Sequence, residues 1–289
     1  MNIIIGGTGQ VGSATARALL RHGEPATILS RNAAHAAALK AEGATIVEAD
    51  IRDVERLRDL FAGATRAFLL NPPADPATDT DAEERANIAA IAEALQGAAL
   101  EKIVLASTYG ARPGERCGDL TVLYEFEQLI TALPIPVAIN RGAYYMSNWI
   151  GMLDAVRESR TLPSFFPADL AIPMVAPDDL GAAAARRLLT PATDVGIIHV
   201  EGPQRYTSRD VAAAFAEVLG ITVNVEEIPR KNWERTFLGL GFSEPAANSY
   251  ACMTATVIDE ASDQPTDYER GPTRLQKYIS AHCQSQRTR

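Results

Sequence analysis

The sequence predicts an α/β protein built on a doubly wound parallel sheet, with a smaller, partly helical C-terminal lobe. Three observations predict it. The chain opens on an apolar run that stops at Gly6-Gly7-Thr8-Gly9-Gln10-Val11-Gly12 and passes straight into helix-forming residues. Short apolar runs then alternate with helical stretches as far as about residue 150, and those runs are apolar enough for burial on both faces. Beyond them prolines recur at 163, 167, 173 and 177, and strand signals become sparse.

Residues 3–5 are short, β-branched and halted by two glycines, so they read as a buried strand. Val11, Ala14, Thr15, Ala18 and Leu19 have helical spacing. The glycines therefore sit on a strand-to-helix turn, the context that gives such a motif its meaning. Gly6 and Gly7 allow a tight turn, Gly9 lets the backbone approach a pyrophosphate, and Gly12 lets the helix pack closely on the sheet. Free N–H groups and the positive end of the helix dipole would face the phosphates. Gly6, Thr8, Gly9, Gln10, Val11 and Gly12 are thus expected to hold a dinucleotide.

Glycine and proline at 23 and 25 end that helix, and residues 26–30 form the second strand. A site for NADH places an acid at the end of this strand, against the ribose 2′-hydroxyl. Here the residues are Ser30, Arg31 and Asn32. A guanidinium suits a 2′-phosphate through paired N–H donors. NADPH is therefore the expected cofactor, with these three residues at its adenosine end. Residues 33–41 are helical and 44–49 form the third strand, ending at Asp50. Asp50 either accepts from the adenine amino group, with Ile51 against the ring, or caps the helix over 54–61.

The fourth strand, 67–70, is broken by Asn71-Pro72-Pro73. A helix over 82–95 leads to the fifth strand, 103–106, which ends in Ser107-Thr108-Tyr109. A helix over 120–132 precedes the sixth strand, 136–140. Ligands in such sheets lie beyond the carboxyl ends of the strands, so Asn71, Pro72 and Ser107 join the expected cofactor contacts. Tyr109 and Tyr144 each follow a strand end and are expected against a substrate. Tyr145 and Trp233 are further candidates for that wall, with core packing the rival reading for most aromatics.

Later helices are expected over 178–189, 207–219, 233–240 and 245–257, strands over 196–200 and 223–228, and a frayed polar tail over 284–289. Residues 1–150 form the expected nucleotide-binding domain, to which about 177–205 return. Residues 151–289 are mainly a substrate lobe.

With 47% apolar and 22% charged residues among 289, the composition is that of a soluble globular chain. The net charge of −9 argues against nucleic acid or an anionic membrane as partner. No apolar run approaches the roughly twenty residues of a membrane span, and residues 3–5 are too short for a signal core. Cys117, Cys252 and Cys283 are odd in number, far apart and outside any metal pattern. They read as small, partly buried residues of a protein from a reducing, cytoplasmic compartment, with no metal site. The four histidines read as surface or structural residues.

Together with Glu48-Ala49-Asp50, the Arg-x-x-aromatic-aromatic segment within residues 136–148, Pro177-Asp178-Asp179-Leu180-Gly181 and Tyr206-Thr207-Ser208, the glycine turn resembles the NmrA-like branch of the atypical short-chain dehydrogenase/reductases. The resemblance spans nearly the whole chain and extends to bacterial azoreductases, triphenylmethane reductases and NADPH-dependent quinone reductases. It implies a Rossmann-like, flavin-free reductase. The branch also contains NADPH sensors without known turnover, so a non-enzymatic regulator is the alternative.

Conventional short-chain enzymes use Tyr-x-x-x-Lys, but here Tyr124 is followed by Gln128, and Leu123 stands where related plant reductases carry a lysine. Tyr124 is therefore read as structural. A ketone, which needs a strong proton donor, suits such a site poorly. Electron-poor quinones, azo compounds and triarylmethane cations suit it better, with Tyr109 the catalytic candidate where an azo nitrogen needs a proton. The expected partner is a small aromatic substrate, with a homodimer left open.

Overall fold

The computed structural model describes residues 1–260, 265 and 268–287. The first half alternates as expected: β1 (Asn2–Ile4), α1 (Gln10–Arg21), β2 (Ala26–Ser30), α2 (Ala37–Ala41, after a 3-10 turn at Ala33–Ala36), β3 (Thr45–Glu48), α3 (Val54–Ala62), β4 (Arg66–Leu69), α4 (Thr80–Ala94), β5 (Lys102–Thr108), α5 (Asp119–Thr131) and β6 (Val137–Gly142). There follow β7 (Tyr144–Tyr145), α6 (Ser147–Ile150), α7 (Leu153–Ser159), β8 (Thr161–Ser164), β9 (Ile172–Val175), α8 (Pro177–Leu189), β10 (Gly196–Glu201), β11 (Arg205–Tyr206), α9 (Ser208–Leu219), β12 (Asn224–Glu227), α10 (Trp233–Gly239), α11 (Glu244–Asp259), β13 (Glu269–Arg270) and α12 (Leu275–Arg287).

Eight strands form one sheet in the order β3-β2-β1-β4-β5-β6-β10-β13, and every pairing is parallel. The chain winds outward to β3, then returns to lay β4 on the other side of β1. That reversal opens the crevice where such sheets bind ligands. Neighbouring residues of one strand serve different cores. Ile3 and Ile5 pack with Leu57, Phe61, Ile88, Ile91, Val122 and Phe126 from α3, α4 and α5. Ile4 packs with Val11, Leu19, Leu180, Ala184 and Leu188 from α1 and α8. A strand covered on both faces has no polar side to alternate with, which is why these strands read as continuous apolar runs.

The return of the chain at α8 is locally encoded. Pro177 occupies the first turn, and Asp178 and Asp179 meet the positive helix end. At the amino-terminal end of β5, inside the sheet, the fully buried Lys102 donates to Thr190 Oγ1 at 2.8 Å and lies 3.3 Å from Asp194. Buried Arg187 pairs with Asp194 at 3.0 Å and donates to Asn140 Oδ1 at 3.0 Å. This charged knot joins β5, β6, α8 and the approach to β10, at the end of β5 remote from the ligand crevice.

Residues beyond β6 build a third core around Trp149, Phe166, Met174, Tyr206, Phe215 and Tyr278, and an aromatic satellite around Trp233 and Phe237. Strands β7, β9 and β11 form a small sheet, and β8 pairs with β12. Pro163 and Pro173 lie inside β8 and β9, which the proline-rich sequence does not suggest. Both strands are only four residues long, in sheets of two and three strands, where one missing donor is tolerated. α12 runs to Arg287, so the chain is helical where a frayed tail was expected from 284; residues 288–289 lie outside those described. Among the described residues no helix is long and apolar enough to cross a membrane.

The cysteine reading needs correction. Cys117, in the loop before α5, is bonded to Cys252 on α11, 135 residues away in sequence, while Cys283 is a buried free thiol. Pairing across that distance depends on where α11 docks, which no spacing rule could supply. With two of its three cysteines bonded, the chain carries no cysteine signature of a reducing compartment.

Candidate nucleotide and substrate site

The turn between β1 and α1 is built so that only hydrogen can occupy certain positions. Gly6 has φ +72°, in the left-handed region, and its carbonyl accepts from Gly9 N–H at 3.0 Å. A Cβ on Gly12 would lie 2.2 Å from the Gly6 carbonyl oxygen. Thr8, Gly9 and Gln10 are exposed, and Val11 is buried as the first anchor of α1. The N-cap of α1 is Gly9, which offers no side-chain acceptor, and the first turn contains no acidic residue. The first amides of α1 are thus left open to an anion, the chemistry a pyrophosphate requires.

At the end of β2, Ser30 is buried. Its hydroxyl donates to Asn32 O at 2.8 Å and accepts from Asn32 N–H at 3.2 Å. Asn32 Oδ1 caps the following turn by accepting from Ala34 N–H. These bonds fix the backbone that presents Arg31, which is exposed and has no hydrogen-bond or ion-pair partner among the described residues. A cation held ready on a rigid turn fits a 2′-phosphate. Of the two roles weighed for Asp50, capping α3 belongs instead to Asp53, which accepts from Arg56 N–H. Asp50 is exposed and turns the chain by accepting from Arg52 N–H at 2.8 Å, and half-buried Ile51 packs on the sheet core.

Beyond β4, Asn71 Nδ2 donates to Glu84 O at 3.3 Å, while its buried Oδ1 has no donor among the described residues; Pro72 beside it is half-buried. Beyond β5, Ser107 donates to Glu127 Oε1 at 2.5 Å, and Glu127 pairs with Arg141 at 2.6 Å. The Ser107 hydroxyl is therefore committed to a strut between β5, α5 and β6. Its partner in that stretch of α5 is Glu127, next to the Gln128 that stands in the lysine position.

Two aromatic expectations change. Tyr109 does follow β5, but its ring packs in the core that holds Val175 and Leu180, edge-on to His199 at 5.1 Å. Burial, with Glu201 nearby, pushes its hydroxyl well above the usual tyrosine range. So enclosed a phenol is a poor proton donor, and its burial leaves little of the ring to face a substrate. Trp233 is buried in the aromatic satellite, and its indole N–H is satisfied by Ile228 O at 2.8 Å. It stabilises the small lobe rather than facing an open space.

Tyr144 and Tyr145 remain half-buried beyond β6. Tyr144 meets Phe166 edge-on at 5.2 Å, and burial pushes its hydroxyl up to about 12. Tyr145 is raised further, first by burial and then by Asp119. Asp119 was not foreseen in the site. It opens α5, has a solvent-accessible side chain, and yet has its pKa raised by burial. Glu84 of α4 and Asp119 act on each other's carboxyl. Burial, then Asp119 and Asp81, push Glu84 up to about 8. Tyr250 of α11 feels the charges of all three acids, and Met253 of α11 touches the Asp119 backbone. These groups come from α4, the start of α5, β7 and α11. Among the described residues, no group of three or more His, Cys, Asp or Glu is placed to hold a metal ion.

The NmrA-like family model matches residues 2–285. The chain belongs to the NmrA-like family. An NAD(P)H azoreductase of Xenophilus azovorans is 25% identical over 250 residues, which are 86% of this chain and 84% of that protein. Two solved structures share the fold of this NmrA-like chain. The triphenylmethane reductase of Citrobacter sp., complexed with NADP(H), superposes with a TM-score of 0.80 at 21% identity, covering 97% of this chain and 99% of that one. The NADPH-dependent quinone oxidoreductase QOR2 of Escherichia coli, complexed with NADPH, gives 0.77 at 20% identity over 97% and 99%.

Proposed function

We propose that this NmrA-like protein is an NADPH-dependent oxidoreductase that passes hydride directly, without flavin, to electron-poor aromatics of the azo, quinone or triarylmethane type. The observation that carries the proposal is the pairing of an uncapped α1 N-terminus with Arg31, an exposed cation just past β2 without a hydrogen-bond or ion-pair partner among the described residues. Gly6, Thr8, Gly9, Gln10, Val11 and Gly12 would hold the pyrophosphate, and Ser30, Arg31 and Asn32 the 2′-phosphate end. Asp50 and Ile51 would meet the adenine, and Asn71, Pro72 and Ser107 would lie along the rest of the cofactor. When bound, NADPH supplies the hydride; this chain's residues bind it, orient it and exclude water. Tyr144 and Tyr145 offer half-buried rings to a flat substrate, which the lobe formed mainly by residues 151–289 would enclose. The relatives matched carry reductase names, which favours turnover over sensing. A cytoplasmic setting stays part of the proposal, with Cys117–Cys252 a bond that a reducing milieu would open.

Steady-state NADPH oxidation tests the reading. With a quinone, an azo dye and a triarylmethane dye supplied in turn, at least one is expected to be reduced. No oxidation with any of the three would overturn it.

A further inference from the structure

The bonded cysteines join the small lobe to a loop at the ligand end of the sheet. On the reductase reading, we propose that Cys117–Cys252 is a thiol–disulfide exchange site: a dithiol reductant opens it, loosens α11 from the nucleotide-binding domain and slackens the substrate wall beside it.

α11 is fastened at three places to the loops that leave the carboxyl ends of β4 and β5. At its start, Ser243 N–H donates to Pro76 O at 2.8 Å, and Ser243 Oγ donates to Thr78 O at 2.6 Å. At its end, Glu260 pairs with Arg112. Between them Cys252 is bonded to Cys117, and Met253 Sδ accepts from Asp119 N–H at 3.2 Å. Gly118, with φ +53°, makes room for that methionine: a Cβ there would lie 2.6 Å from its sulfur. The two loops are tied to each other as well, since Arg116 donates to both oxygens of Asp79 at 2.9 Å. In a parallel sheet such loops flank the ligand. Of the three fastenings the middle one is covalent, and it is the one that answers to redox state.

A line of rings joins α11 to the candidate substrate wall. Tyr250 of α11 meets Phe237 of α10 at 5.7 Å between ring centroids, and Phe237 stacks on Phe165 at 4.4 Å. The next residue, Phe166, meets Tyr144 edge-on at 5.2 Å. Close-packed side chains transmit displacement rather than absorb it, so freedom gained at Cys252 reaches Tyr144 through these rings.

Cys252 is half-buried and Cys117 buried, so an incoming thiolate meets Cys252 first. Its attack on Cys252 Sγ breaks the S–S bond and expels the Cys117 thiolate. The second thiol of the reductant then attacks its own sulfur in the mixed disulfide and expels the Cys252 thiolate. Two electrons pass from the dithiol, which ends as a disulfide, and the two protons it gives up end on the two cysteines. Cys283 is buried on α12 in the core of Trp149 and Phe215, so alkylation of the folded chain reports Cys117 and Cys252.

The test compares the full chain with the bond formed and the same chain treated with dithiothreitol and then freed of it under nitrogen. Alkylation and mass spectrometry are expected to find new thiols at Cys117 and Cys252. Hydrogen exchange is expected to quicken over α11 and the loop before α5 and to stay unchanged over α1. With a triarylmethane dye, KM is expected to rise about fivefold or more on reduction, the lower end of a coupling between sites, while kcat and the NADPH Kd hold. Cys252→Ser is expected to match the reduced chain and to ignore dithiothreitol. A bond that resists dithiothreitol in the folded chain, equal exchange in both states, or equal KM in both would overturn the proposal. A bond that only adds stability would lower the Tm and leave KM where it was. If neither state reduces a quinone, an azo dye or a triarylmethane dye, the reductase reading fails, and the exchange comparison by itself decides whether the bond holds α11 down.

Discussion

At the residue scale, Arg31 separates binding from stability. Among the described residues it has no hydrogen-bond or ion-pair partner, so Arg31→Ala should leave folding within about 0.5 kcal/mol of wild type. Loss of a charged contact to a 2′-phosphate, worth about 1.5–3 kcal/mol, should raise the NADPH Kd about 10- to 100-fold. The NADH Kd should stay within about twofold, since it offers no such phosphate. Calorimetric titration of both cofactors checks this, and equal losses would show that Arg31 does not read the phosphate. Gly12→Ala forces a methyl group to within 2.2 Å of the Gly6 carbonyl, so the turn must open. We expect a loss of about 1–3 kcal/mol in denaturant unfolding, together with weakened nucleotide binding. These residues were legible because backbone requirements leave a mark that only glycine fits. Asp119, Glu84 and Asp81 were not. Each is an ordinary acid near a helix start, where sequence alone favours solvation or dipole complementation, and their convergence exists only after α4, α5 and α11 have packed.

At the element scale, the knot of Lys102, Arg187 and Asp194 governs how β10 joins the sheet. The guanidinium of Arg187 and the Thr190 hydroxyl overcome the burial that opposes charge on Asp194, and hold its carboxyl well below the usual range. A depressed carboxylate pKa lends stability that is complete above the ordinary carboxylate range and drains away as pH falls below it. Asp194→Asn leaves buried Lys102 and Arg187 short of a counter-charge. Breaking a fully buried pair costs about 3–5 kcal/mol; with Asp194 itself a third exposed, we expect roughly 2–3 kcal/mol, read by urea unfolding at neutral pH. Elements were legible in proportion to their length. β1 to β6 announced themselves as apolar runs between helices. β7, β11 and β13 have two residues each, too few for any period, and the prolines in β8 and β9 argued against strands that tertiary pairing nevertheless forms.

At the scale of the whole molecule, two features couple the lobes to solution conditions. The bond between Cys117 and Cys252 ties the loop before α5 to α11 and closes a long segment of chain. Its reduction should cost about 2–4 kcal/mol and lower the Tm, while Cys252→Ser should start from the lower Tm and ignore reductant. A Tm indifferent to reductant would mean that the bond contributes no constraint. Glu84 supplies the second coupling. Its pKa is raised from 4.5 to about 8 in the fold, so stability is full below 4.5 and is lost as pH rises through 8. Compared with wild type, Glu84→Gln should gain on the order of 1–3 kcal/mol at and above pH 8, measured by denaturant unfolding across that range.

The central claim is direct hydride transfer from NADPH to an electron-poor aromatic. Its most direct test is one turnover of a triarylmethane dye with NADPH deuterated on the transferring face. The product is expected to carry deuterium at its central carbon by mass spectrometry, with a slowed rate. Unlabelled product, or a dye left unreduced alongside the quinone and azo substrates, would contradict the account.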